Sequence, residues 1–407
     1  MVRLLTATAA LGLLAAASPA LAAPWFVEAT EGNLPARGTV PASSMDVESA
    51  DLDGDGDLDL VLAQEFQLSY YLLNDGKGRF TLQAFPPLSP DEIKGGPPLP
   101  GHDSEDVSIA DFDGDGKLDM IIVSEDDIRF GRTPTHMYFR GLGGAKFERV
   151  LGRLPDTEAN AIAHGDADGD GRLDLLITGA GQDRLLLGDG KGSFRDVTDE
   201  RLPREAATGQ DGVFVDVDGD RDLDMVIGQE GGHALWINDG KGRFSDETAS
   251  RLPVAGFVEA RKVDAGDVDG DGDLDLYFSH VSWQGKHPAD ALLINDGKGR
   301  FTRAGADRLA PDTELTLDGR FADLDKDGDL DLVRANFGSV QVFANDGKGR
   351  FTEVTAEVFP APIQGPAIGL EIADFNGDGV LDLYVAMRAS QPNDPLAYDR
   401  LLLGVKR

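Results

Sequence analysis

The feature that most constrains this chain is a ten-residue segment that occurs seven times: "DLDGDGDLDL" from Asp51, "DFDGDGKLDM" from Asp111, "DADGDGRLDL" from Asp166, "DVDGDRDLDM" from Asp216, "DVDGDGDLDL" from Asp267, "DLDKDGDLDL" from Asp323 and "DFNGDGVLDL" from Asp374. The copies begin 50 to 60 residues apart, a period that signals a propeller or a solenoid. Each copy crowds like charges that repel by roughly 1 to 4 kcal/mol per pair at about 4 Å unless a cation neutralises them. Carboxylates at positions 1, 3, 5 and 9, a glycine at 6 and a carbonyl at 7 suit a hard ion that takes six to eight oxygens, as Ca²⁺ does. The carboxylate sets are Asp51, Asp53, Asp55 and Asp59; Asp111, Asp113, Asp115 and Asp119; Asp166, Asp168, Asp170 and Asp174; Asp216, Asp218, Asp220 and Asp224; Asp267, Asp269, Asp271 and Asp275; Asp323, Asp325, Asp327 and Asp331; and, with one amide, Asp374, Asn376, Asp378 and Asp382. Position 7, read for its carbonyl, is Asp57, Lys117, Arg172, Asp222, Asp273, Asp329 or Val380.

Alternating apolar stretches flank each segment, such as "DVSIAD" before and "LDMIIVS" after the second copy, so each segment joins two strands. That excludes EF-hands and dockerins, whose loops lie between helices; the EF-hand also ends on Glu at position 12. A third strand follows and runs into "NDGKGRF" or a variant of it, where Asn-Asp-Gly supplies the positive-φ residues of a tight hairpin before a fourth strand. Four antiparallel strands make a propeller blade. The seventh unit breaks off after its third strand, "RLLLGV", while "FVEATEGNLP" near the start aligns with the fourth-strand segments "FRDVTDERLP" and "FSDETASRLP". The expected fold is therefore all-β: a seven-bladed β-propeller of four-stranded antiparallel blades, closed by an N-terminal strand that completes the last blade and removes open edges.

Residues 1–22 combine Arg3, a short apolar stretch, Pro19 and the small residues Ala20 and Ala22, which reads as a secretory signal peptide. Residues 23–407 form the propeller, expected to be secreted or periplasmic and monomeric. There is no cysteine, so disulfides, thiolate metal sites and cysteine catalysis are excluded, and bound metal takes over as the staple. Of the 73 acids, 27 are the aspartates at positions 1, 3, 5 and 9, and seven Ca²⁺ would return fourteen of the −35 formal charges. The remaining acidity argues against nucleic acid or an anionic membrane as partner.

On the strength of the D-x-D-x-D-G-x-x-D motif between strands, the chain resembles the FG-GAP/VCBS repeat family, which includes the integrin α-subunit propeller and many bacterial secreted proteins. The resemblance covers residues 25 to 407. It implies Ca²⁺ in the loop between first and second strands, held by positions 1, 3, 5 and 9 with the position-7 carbonyl. Two copies depart from the pattern: Arg221 stands where glycine is expected, which weakens or empties that site, and Asn376 lowers charge but keeps an oxygen. The role expected of the metal is structural.

Calcium loops and NDGKG hairpins should share one rim. The other rim then carries the long second-to-third-strand connections, with His102, His136, His233, His280, His287, Trp283, Arg129, Arg132, Arg261, Lys262, Arg388 and Tyr398. Binding residues concentrate on such loops, but the favoured reading is the plainer one, with Trp283 and Tyr398 packing the loops against each other and the histidines solvated. Two functions follow: a non-catalytic scaffold that binds a protein or glycan on the variable rim, as the resemblance implies, or a carbohydrate-active, polysaccharide lyase-like enzyme using that rim. The chain lacks G-x-S-x-G and H-E-x-x-H, so binding is favoured.

Overall fold

The structure is a computed structural model that describes residues 23–39, 43–86, 101–253, 259–282, 288–311, 314–389 and 398–406. The expected signal peptide, Trp283 and His287 lie outside the described residues.

Short strands rich in Val, Ile, Leu and aromatics pair into antiparallel sheets. The strands Ala161–Gly165, Asp174–Thr178, Arg184–Gly188 and Phe194–Asp196 form one four-stranded sheet in chain order, and the sheets beginning at Gly209, Glu259 and Thr316 repeat this plan. An eight-stranded sheet combines Ser44–Ala50, Asp59–Gln67, Tyr70–Asn74 and Phe80–Ala84 with His102–Ala110, Asp119–Ser124, Met137–Gly141 and Phe147–Val150, joined where Glu65 pairs with Asp103. The remaining sheet holds Ala367–Ala373, Asp382–Met387 and Arg400–Gly404, and its fourth member is Phe26–Glu28, paired as Phe26 with Gly404 and Glu28 with Leu402. Repeated four-stranded antiparallel sheets of this kind are the architecture of a β-propeller.

The first strand of each unit packs beside the first strand of the next, and Ser44–Ala50 touches both His102–Ala110 and Ala367–Ala373. Apolar side chains fill the gap between successive sheets. Val226 and Leu235 meet Leu276 and Phe278, for example, and Leu60 and Tyr70 meet Phe375 and Tyr384. Burying one such side chain contributes about 1.5–3 kcal/mol, so the sheet-to-sheet gaps are the core of the molecule.

Six first strands carry a bulge near their starts, between Ser44 and Asp46, Ser104 and Asp106, Gly209 and Asp211, Ala260 and Lys262, Thr316 and Asp318, and Ala367 and Gly369. An extra residue in one strand re-aims its neighbours. Here it turns Met45, Glu105, Gln210, Arg261, Leu317 and Ile368 toward the mouth of a central channel. Just inside, Asp106 accepts the Ile162 amide (2.9 Å), Asp211 the Val263 amide (2.7 Å) and Asp318 the Leu370 amide (2.8 Å). Neighbouring first strands are not paired as a ladder, so these carboxylates satisfy backbone donors that otherwise lack partners.

Candidate metal centres and the opposite rim

Each aspartate loop is built by its own side chains. Asp51 Oδ1 accepts the amides of Gly54 (2.8 Å) and Asp55 (3.1 Å), and its Oδ2 accepts that of Gly56 (3.0 Å). Asp53 Oδ1 caps Asp55 and Asp55 Oδ1 caps Asp57. The same turns recur around Asp111, Asp166, Asp267 and Asp374. Positions 4 and 6 both take positive φ, with Gly54 at 85° and Gly56 at 96°. Arg221 sits at position 6 with φ 77°, the left-handed backbone anticipated for that copy, and its side chain is exposed. Lys326 at position 4 takes φ 65°, a second strained copy that the position-6 comparison overlooked.

Position 9 is where the loop meets the sheet. Asp59 is buried; its Oδ2 accepts the Leu52 amide (3.0 Å) and its Oδ1 the Asn74 amide (2.8 Å). Asp119, Asp174, Asp224, Asp275, Asp331 and Asp382 repeat both bonds. Burial, partly offset by these bonds, pushes Asp59 up to about 6 and Asp174, Asp224, Asp275, Asp331 and Asp382 up to about 7.

Carboxylate oxygens at positions 1, 3 and 9 lie within 4.8 Å of one another in the Asp51, Asp166 and Asp216 loops, and those at positions 1, 3 and 5 do so in the Asp111 loop. Asp168, Asp218 and Asp269 each keep a buried Oδ1 with no hydrogen-bond partner among the described residues. Converging oxygen donors with orphaned buried lone pairs fit a hard divalent cation. Position 7 turns its side chain away: Asp57 Oδ2 lies 2.3 Å from where a Cβ on Gly76 would stand, and Asp222, Asp273 and Asp329 crowd Gly240, Gly297 and Gly347 alike. Such a residue can offer only its carbonyl to an ion.

The hairpins dock on these loops. In "NDGKG" the left-handed residues are the two glycines, Gly76 and Gly78 at φ 70° each; of the Asn-Asp-Gly anticipated from sequence only the glycine takes positive φ. The asparagine serves as a bridge. Asn238 Nδ2 donates to Leu223 O in its own loop and to Ala167 O in the preceding one, at 2.9 and 2.8 Å, while Oδ1 accepts the Gly240 and Gly242 amides. Asn74, Asn295 and Asn345 make the same pair of donations. The loops and hairpins therefore share one rim.

On the other rim the described histidines are packing groups. His102 bonds Asp127, His136 bonds Thr157 Oγ1 (2.8 Å), and His233 stacks on Phe278 and His280; all four are buried. Burial drives His136 and His233 down to about 3, so both are neutral. The cations are committed as well. Arg129 holds Glu158 and Asp126, Arg132 holds Asp127 (2.7 Å), Arg388 holds Glu65, and Arg37 covers Tyr398 at 3.5 Å. Arg261 and Lys262 belong to the channel, a cavity of about 400 Å³ behind its mouth, where Lys262 Nζ lies 3.8 Å from Asp46 and 3.6 Å from Asp211. His164 also lines the channel, against Ser108 Oγ at 2.7 Å.

A sequence model described as an FG-GAP-like repeat matches residues 51–122, 166–227, 216–278 and 323–385. The chain belongs to the FG-GAP-like repeat family. Comparison with curated protein sequences returned no match. Among solved structures, this FG-GAP-like chain is similar to BBS1N, solved in complex with ARL6DN (TM-score 0.57, 11% identity, 94% of this chain and 98% of that chain). It is similar also to an Agrocybe aegerita lectin that recognises non-reducing terminal N-acetylglucosamine (TM-score 0.50, 18% identity, 78% and 82%), and to the rhamnogalacturonan lyase YesW (TM-score 0.48, 17% identity, 93% and 75%). At these identities the likeness to BBS1N and to the lectin is one of fold.

Proposed function

We propose that this FG-GAP-like protein is an exported, monomeric, seven-bladed propeller, stabilised by Ca²⁺ in its aspartate loops, that binds a saccharide on the rim opposite those loops without catalysis. Counting the eight-stranded sheet as two blades supports the number seven, as do the apolar clusters between successive sheets. The ligands assigned to each ion are the side chains at positions 1, 3, 5 and 9 with the position-7 carbonyl. The orphaned oxygens of Asp168, Asp218 and Asp269 support that assignment.

An open groove of about 280 Å³ carries the ligand reading: Asp156, Thr157, Glu158, Gln182 and Arg184 face Ile128 across it. Phe130, two residues along the chain from Ile128, is 43% exposed. Hydrogen-bonding groups next to an exposed aromatic suit a sugar, which has polar edges and an apolar face. The lectin among the structural neighbours agrees with this reading at the level of fold. A lyase-like activity is disfavoured because the histidines and cations described on this rim are already paired or buried. A protein partner is the second reading, favoured by the apolar patch in which Phe66 and Phe130 lie 6.0 Å apart beside Leu68.

Titration against a saccharide panel in calcium tests the proposal. Binding that Phe130→Ala weakens at least tenfold, with an unchanged melt and no bond cleavage, is the expected result. No binding at millimolar saccharide would remove the glycan reading, and depolymerisation of any panel member would restore the enzyme.

A further inference from the structure

A separate group of carboxylates lies on the rim that the aspartate loops do not reach. Asp103 and Glu105 stand two residues apart at the start of His102–Ala110, and Glu125 follows the end of its antiparallel partner Asp119–Ser124. One carboxylate oxygen from each lies within 4.8 Å of the other two. The bulge between Ser104 and Asp106 lifts Glu105 off the ladder.

Asp103 is 3% exposed, and its Oδ2 accepts the Asp126 amide at 3.2 Å. Among the described residues its Oδ1 meets no donor. The described cations nearby are engaged elsewhere. Arg129 grips Glu158 and Asp126 at 2.7 Å and approaches Glu125 only to 3.9 Å; Arg388 is on Glu65; Arg261 donates to Gln210 at 2.5 Å and stands 3.6 Å from Glu259. Burial, then the charges of Glu65, Asp126 and Glu125, push Asp103 up to about 7, and burial pushes Glu105 well above its ordinary value. A buried carboxylate oxygen without a donor, beside two more carboxylates, is costly unless a cation joins them.

We propose that Asp103, Glu105 and Glu125 form a further divalent-cation site, distinct from the repeated loops. Oxygen-only donors select a hard ion of the calcium class. Glu125, 32% exposed, leaves the outer side open to water, which completes the coordination. The site lies where Glu65 of Asp59–Gln67 pairs with Asp103, so the ion clamps the seam that merges two units into one eight-stranded sheet.

The test uses the full chain with Ca²⁺ alone as probe. Glu105→Gln and Glu125→Gln are each expected to bind one ion fewer than the parent by equilibrium dialysis, and Glu105→Gln combined with Asp53→Asn two fewer. In chelator Glu105→Gln is expected to melt above the parent, because a neutral amide replaces a buried carboxyl set beside two others; in calcium the order reverses. Glu125 is the guard against misfolding, since its side chain lies outside the core. Parent stoichiometry in both glutamine variants, or a melting order that calcium leaves unchanged, overturns the site.

Discussion

At the residue scale, the positions of one loop differ in what they do, and substitution separates them. Asp59 joins two backbone amides as well as facing the cluster, whereas Asp53 caps a single amide. Asp59→Ala should therefore destabilise by about 2–5 kcal/mol even in chelator, because two buried N–H groups lose their acceptor. Asp53→Ala should lower the melt in calcium and leave it nearly unchanged in chelator. Equal losses for both in chelator would mean that position 9 is not the anchor described here. Arg221→Gly and Lys326→Gly replace residues held at φ 77° and 65°; each should stabilise by about 1 kcal/mol in denaturant melts, the typical cost of a side chain in that region. The strain at Arg221 was legible from the missing glycine at position 6. That at Lys326 was equally present in the sequence as a missing glycine at position 4, but only the backbone shows that both positions are left-handed.

At the element scale, the hairpin and the loop act as one unit through the asparagine. Asn238→Ala strips the donors from Ala167 O and Leu223 O and the acceptor from Gly240 and Gly242, and should cost about 1–3 kcal/mol, with protection from amide exchange lost first in both neighbouring loops. Loss confined to its own unit would refute the bridge. Strands, hairpins and the pairing of Phe26–Glu28 with Arg400–Gly404 were legible because period-two patterns and repeats are local signals. The asparagine bridge was not, since its second acceptor lies 71 residues away. The same holds for Asp106, Asp211 and Asp318, which look like ordinary strand acids until a neighbouring sheet presents an unpaired amide. The histidines were misjudged in the opposite direction: placement on variable connections left them as solvated or ligand-binding groups, but the rings of His102, His136, His233 and His280 are buried.

At the scale of the whole molecule, metal and protons should both set stability. On the proposed assignment, Ca²⁺ at about 1 mM with dissociation constants of roughly 0.1–1 mM would add about 0.4–1.4 kcal/mol per site, and seven such sites would add roughly 3–10 kcal/mol. Chelation should lower the melt markedly; an unchanged melt would remove metal from the account of stability. Burial holds Asp264 and Asp399 up at about 6, and burial together with Asp106 holds Asp46 well above its ordinary value. A carboxyl whose folded value exceeds its unfolded value of about 3.9 binds its proton more tightly when folded, so its contribution is complete below pH 4 and is lost as pH rises through about 6. The chelated protein should accordingly melt at lower temperature at pH 7 than at pH 4.5, and Asp264→Asn should flatten part of that slope; a rise in stability over the same window would contradict the sign. The sheet shared by Phe26–Glu28 and Arg400–Gly404 also sets an order in time. Glu28 meets Arg400 across 372 residues, and a ribosome adding roughly 5–20 residues per second takes about 20 to 75 s to make the distance between them. For that interval the earliest strand has no permanent neighbour, and a chain released too soon keeps an open edge available to other chains.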